Sequence, residues 1–146
     1  MTDIKLNHEE LNNIFKNAHI AMQSISNVLP ECSCLKMKEE LQFEYEGYQK
    51  FIGKISAYMS ERGFGQKDVN VMKKAMLYTS VKLNTLTDDS CSHVAEMMIK
   101  GTVMGITELK QLISRGKDFL DKDVLNFANE LLALEEDYEE RLKTLL

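Results

Sequence analysis

Read in steps of four and three from Val124, the C-terminal stretch runs Val124, Ala128, Leu131, Glu135, Tyr138, Leu142, Leu145. That spacing is the inward stripe of a packed helix, and it leaves little choice but a bundle of helices. It also sets one carboxylate in a seam that is otherwise apolar or aromatic. An ionised carboxylate there is costly unless it is paired, hydrogen-bonded or bound to metal. A bundle that keeps Glu135 inside hides a polar network or holds a metal.

The remainder of the chain points the same way. One proline, Pro30, and seven glycines among 146 residues disfavour architectures built on tight β turns. A hydrophobic content of 44% suffices for one core, so residues 1–146 are expected to form a single domain. The net charge of −5 comes from 18 basic residues scattered among 23 acidic ones, without the clustered cations of a nucleic-acid footprint. Met1 to Asn7 is polar and carries no signal-peptide core, and no apolar run reaches bilayer length. Neither nucleic acid nor membrane is expected as a partner. Three cysteines, Cys32, Cys34 and Cys91, are an odd number, which points to reduced thiols and a cytoplasmic setting.

Five helical segments follow from the 3.6-residue periodicity. The first starts at Asn7, with Glu10 completing a capping box, and carries Leu11, Ile14, Phe15, Ala18, Met22, Ile25 and Leu29 to the stop at Pro30. The second, about 33–62, has a seam of Leu41, Tyr45, Tyr48, Ile52, Ile55 and Met59, and ends at Gly63 and Gly65. A third, about 68–86, shows Val69, Met72, Met76, Leu83 and Leu86 on one face. Its lysines Lys67, Lys73, Lys74 and Lys82 read as a solvated face, with a site for an anionic partner as the alternative. The fourth runs from near Ser90 to Arg115, and the fifth from around Asp121 to the C-terminus. Gly101 and Gly105, one turn apart beside Met97, Met98 and Met104, mark a close helix crossing.

Connection lengths constrain the topology. The links at Pro30 and Gly116 are short, so each flanking pair should be antiparallel. The middle segment is long enough to carry the chain back along the bundle. The expected fold is all-α: a ferritin-like up-down-down-up four-helix bundle with an additional crossover helix. A plain up-down bundle with an extra hairpin is the alternative.

The stretches Lys82-Leu-Asn-Thr-Leu86, Ser92-His-Val-Ala-Glu-Met97 and Lys100-Gly-Thr-Val-Met-Gly-Ile106 resemble an uncharacterised bacterial family of small ferritin-like proteins. The likeness covers most of the chain. It implies the bundle and the cytoplasmic setting, and it implies no established activity.

Metal-binding bundles of that kind take a Glu from each of two helices and a Glu-x-x-His pair from each of the others. No Glu-x-x-His occurs in this chain: three residues beyond Glu44 stands Gly47, and three beyond Glu135 stands Tyr138. Even so, His19, Glu44 and Glu135 fall at one height, roughly 15–17 Å from a shared end of the bundle at 1.5 Å per residue. At that height the fourth segment offers only the hydroxyl of Thr102. The expected arrangement is a buried polar layer of His19, Glu44 and Glu135, joined by Tyr138 or Tyr45. Its alternatives are a reduced metal site on the same three residues, for iron, manganese or zinc, and side chains that simply reach solvent.

A second constellation, Cys32-x-Cys34 with Cys91-x-His93, falls at two helix starts on one end of the bundle. A tetrahedral zinc site, a redox-responsive pair and ordinary capping all remain open, although one intervening residue is tight for zinc. No Gly-x-Ser-x-Gly or phosphate-cradling loop supports hydrolase chemistry. The expected function is therefore a non-enzymatic interaction or structural protein without cofactor, associating as a homodimer. The alternative is a metal-binding protein or oxidoreductase.

Overall fold

A computed structural model of the chain describes residues 4–63 and 90–146. They form four long helices: α1 (Ile4–Val28), α2 (Leu35–Glu61), α3 (Cys91–Gly116) and α4 (Lys122–Lys143). Among the described residues there is no strand, and no helix is long and apolar enough to cross a membrane. The expected crossover helix at 68–86, with its four lysines, lies outside the described residues, as does the stretch 82–86.

Local chemistry sets the helix ends. Pro30 stands in a 3-10 turn, Leu29–Glu31, that closes the run of α1. Past α2, Gly63 has φ +96°, a conformation that a side chain would resist. At the start of α3, the Ser90 hydroxyl accepts from the His93 backbone N–H at 3.3 Å, capping the helix.

Each helix buries one stripe. On α4 this is Val124, Ala128, Leu131, Glu135, Tyr138 and Leu142, the seam read from the sequence apart from Leu145, which lies past the helix. On α2 it is Met37, Leu41, Glu44, Tyr48, Phe51, Ile55 and Met59, whereas Tyr45 and Ile52 are only half-buried. Aromatic rings link α2 to α4: Tyr48 meets Tyr138 edge-on with centroids 5.3 Å apart, and Tyr58 meets Phe127 at 5.2 Å.

Contacts between helix ends fix which ends lie together. Cys34 and Cys91 are joined by a disulfide, so α2 and α3 start side by side. At the opposite end, the Asn7 side-chain Oδ1 accepts from the Asp121 backbone N–H at 2.8 Å, so α1 and α4 start together. The last turn of α3 returns to the first turns of α1, where Arg115 donates to both carboxylate oxygens of Glu10 at 2.8 and 3.0 Å. Likewise Arg141, late in α4, donates to Glu40, early in α2, at 3.0 Å.

The N-terminal capping box does not form. The helix already runs at Ile4, so Asn7 and Glu10 lie within it, 5% and 2% exposed. Both reach across the bundle instead: Asn7 caps the start of α4, and Glu10 takes Arg115. Removing Arg115 would strand a buried carboxylate with only the Asn13 amide donating to it, at 2.7 Å. Arg115→Ala is therefore expected to cost about 2–3 kcal/mol, allowing for a guanidinium that is itself half exposed. The exposed Lys54–Glu130 pair is the control: Lys54→Ala should change urea-unfolding stability by less than about 0.5 kcal/mol.

Candidate functional site

Where α1 and α3 face each other, an open-mouthed cavity of about 370 Å³ reaches down to the inner stripes of α2 and α4. Its walls are mainly apolar: Ile20, Ala21, Ile25 and Val28 from α1, with Met97, Met98 and Met104 from α3. Among its polar groups Asn17, Glu108 and Glu135 gather near Gly105, with Ser24, Tyr48, Glu44 and Thr102 elsewhere in the lining. Ligand sites commonly have this composition, a mostly apolar cleft with a few placed polar groups. Ile20 and Met104, 38% and 67% exposed, stand at the mouth.

Glu44 and Glu135 are each 1% exposed. The Tyr48 hydroxyl donates to Glu135 Oε2 at 3.2 Å, while Oε1 has no hydrogen-bond partner. Burial pushes the Glu135 carboxyl up to about 8, opposed by the Tyr48 hydrogen bond and reinforced by nearby Glu108. Burial likewise pushes Glu44 up to about 10, aided by a hydrogen bond to Glu40 and by the charges of Glu40 and Asp137. The neutral Glu44 carboxyl thus donates to Glu40, whose carboxylate Arg141 holds. Glu44 Oε2 is left without a partner. Near neutral pH the cavity lining therefore presents two uncharged carboxyl groups. Burial and the neighbouring carboxyl also keep the Tyr48 and Tyr138 phenols protonated, well above their ordinary value.

The residues three positions beyond the two carboxyls interlock. Gly47 lies directly under the Tyr138 ring, so that a Cβ there would run into the Tyr138 hydroxyl. One helix supplies the gap and the other the phenol that fills it. Gly47→Ala gains helix propensity worth about 1 kcal/mol but overpacks this contact, for a net expected loss of about 1–2 kcal/mol. Tyr138→Phe, which removes the hydroxyl, should recover much of that loss in a double-mutant cycle followed by chemical denaturation.

Beside Gly105 lies a second gap. A Cβ there would come 2.7 Å from Glu135 Oε1 and 3.3 Å from Asn17 Oδ1. Asn17 donates its amide to the Gly105 carbonyl at 3.0 Å, which turns its own oxygen, also without a partner, to the same place. Gly101 has nothing within 4 Å of a Cβ position, so the expected close crossing exists at Gly105 alone. There it brings a polar group rather than methionines against the backbone. The Thr102 hydroxyl donates to the Met98 carbonyl of its own helix at 2.8 Å.

Of the three residues singled out by height, Glu44 and Glu135 line the one cavity. His19 is buried elsewhere, stacked on Phe15 with centroids 5.7 Å apart, and is not part of the cavity wall. Among the described residues no three His, Cys, Asp or Glu side chains are grouped to hold a metal ion. Asn17 and the partnership of Tyr48 with Glu135 were not anticipated. Asn17 stands beside the expected apolar face of α1, and only its burial marks it.

At the shared start of α2 and α3, the Cys34 and Cys91 Cα atoms are 5.3 Å apart and the two sulfurs are bonded. The expectation of three reduced thiols is corrected to one free thiol, Cys32, which is buried and donates to the Cys34 carbonyl oxygen. With two of its three sulfurs joined, the four-ligand zinc arrangement including His93 does not form. The expected topology had set both helix starts at one end of the bundle, and the bond joins them there, 57 residues apart along the chain.

Fold and site together define a helical bundle whose interior opens into an apolar cavity with two uncharged carboxyls in its lining. Compared with known proteins, the chain matches no family model, no curated protein and no solved structure.

Proposed function

We propose that this protein is a non-enzymatic binding protein, a ferritin-like up-down-down-up bundle with a crossover whose interior receives an apolar small molecule in place of a di-iron centre. The observation that carries this reading is the cavity of about 370 Å³, walled by aliphatic and thioether groups, with unpartnered carboxyl oxygens in its lining. The shared starts of α2 and α3, and of α1 and α4 at the other end, support the ferritin-like order. Residues 47 and 138 do not fit a di-iron ligand set. Gly47 brings no donor, and the Tyr138 phenol occupies the space a side chain there would need. A homodimer completes the proposal, with exposed Ile20, Val103 and Met104 as apolar surface beside the cavity mouth; the cytoplasmic expectation, which rested on three reduced thiols, loses that support with the Cys34–Cys91 bond.

Metal analysis of protein purified without chelator, combined with light scattering, tests this reading. The expected result is a dimer with iron, manganese and zinc each well below one per chain. Stoichiometric metal that is lost on Glu135→Ala would overturn it in favour of a metal-binding or oxidoreductase role for His19, Glu44 and Glu135.

A further inference from the structure

With the Glu135 carboxyl ionised, the unmet hydrogen-bonding capacity of the cavity has one sign. Asn17 Oδ1, Glu44 Oε2 and Glu135 Oε1 are all buried oxygens without a partner, and all three residues line the cavity. The donors nearby are committed: the Asn17 amide to the Gly105 carbonyl, the Tyr48 hydroxyl to Glu135, and the Thr102 hydroxyl to Met98. Buried polar groups are rarely left unsatisfied. A ligand that completes this site must bring donors and no acceptor, as an ammonium group does with its three N–H bonds.

The walls specify the rest of the molecule. Lining residues on α1 extend from Asn17 to Val28, and on α3 from Glu108 back to Met97. Each stretch spans roughly 16 Å at 1.5 Å of rise per residue. Along that slot the side chains pass from amide and carboxyl groups to Ile25, Val28, Met97 and Met98. Such a slot accepts an extended hydrocarbon chain whose polar head sits beside Gly105. A bare metal ion would leave the apolar length unused.

We propose that the cavity is a binding site for a primary amine with an apolar tail, its ammonium group held by Asn17 and Glu135 beside Gly105. This rests on the small-molecule reading above and specifies its ligand class. Binding couples to a proton. The groups facing Glu135 are Tyr48 from α2, Glu108 from α3 and Asn17 from α1; Glu44 faces Glu40 on its own helix and Arg141 and Asp137 on α4. An entering ammonium favours the ionised form of Glu135, the carboxyl held up at about 8, so that its proton leaves to solvent. Glu44, kept neutral by burial and by its hydrogen bond to Glu40, lines the slot without exchanging a proton.

The test is isothermal titration calorimetry on the full chain with octylamine and with octan-1-ol, each in two buffers of different ionisation enthalpy. Octylamine should bind at least about tenfold more tightly than octanol, because a charged partner satisfies oxygens that a hydroxyl cannot. It should release close to one proton per chain near neutral pH. Its affinity should rise by about tenfold per pH unit between about pH 6 and 8, as the competent carboxylate becomes populated. Glu135→Gln should weaken octylamine at least about tenfold and abolish proton release. Because that variant could perturb packing, Gly101→Leu serves as the second: it fills open space in the slot and replaces a helical glycine, so it should fold and bind neither probe.

Equal affinity for octanol and octylamine without proton release would overturn the amine proposal and leave the apolar-ligand reading standing. Binding of neither probe would overturn both. Stoichiometric binding of zinc or manganese that excludes octylamine and depends on Glu135 would also overturn it, returning the site to metal.

Discussion

Glu135→Gln is expected to make the protein more stable, and increasingly so as the pH rises. The Glu135 carboxyl titrates near 4.5 when unfolded and at about 8 when folded. Between those values the folded state holds a proton that the unfolded state has lost, so unfolding releases it and stability falls as pH increases. The stability conferred by the neutral carboxyl is thus complete below about 4.5, declines through neutrality, and is exhausted once the pH passes about 8. Glutamine never ionises and escapes this loss. Relative to the difference between the two proteins at pH 4, the variant should gain about 3 kcal/mol at pH 7 and about 5 kcal/mol at pH 9. Urea unfolding across that range measures both curves. A variant whose stability stays parallel to the wild type would show that Glu135 is ionised in the fold. Glu44→Gln should act in the same direction over a wider window, reaching toward about 10, since burial, aided by Glu40, keeps that carboxyl neutral.

Reduction of the Cys34–Cys91 bond is the second large effect. The bond closes a loop of 57 residues, and constraining the unfolded chain to that extent contributes about 4 kcal/mol in the chain-entropy account. Cys34→Ser with Cys91→Ser should therefore lower stability by about 4 kcal/mol against oxidised wild type, and by almost nothing against wild type held in reductant. Intact mass after acid trapping, with and without alkylation in denaturant, gives the thiol count independently: one for the oxidised chain. Three alkylated cysteines without reductant would remove the basis of this prediction. Cys32 is the internal control, since its buried thiol should alkylate only on unfolding.

Periodicity disclosed which face of each helix turns inward, although Met22, Leu29, Tyr45 and Ile52 stand at the edge of those faces rather than within them. Val124 through Leu142 is buried as the spacing requires, and so are Glu44 and Glu135. What repeats of three and four cannot carry is the identity of the residue opposite. Glu10 looked like a capping residue because its local neighbour Asn7 suits a cap. Arg115, which it binds, is 105 residues away. The same holds for Glu40 with Arg141, and for Tyr48 with Glu135. Helical height placed Glu44 and Glu135 correctly within reach of one cavity. It misjudged His19, because height along a bundle leaves rotation about the helix axis free, and His19 turns toward Phe15. Gly47 and Gly105 read as missing ligands or close crossings. Their role is complementarity: each leaves room for a side chain from another helix.

The two ends of α3 are fastened by different chemistry, a covalent bond at Cys91 and an ionic one at Arg115. Reductant and concentrated salt therefore act on opposite termini of one rod. Amide hydrogen exchange should register reductant in the first turn of α3 and salt in the last turn, with the buried middle from Val94 to Leu112 slow in both. That helix can be loosened from either end independently, which gives experimental handles on how the slot it borders admits a guest.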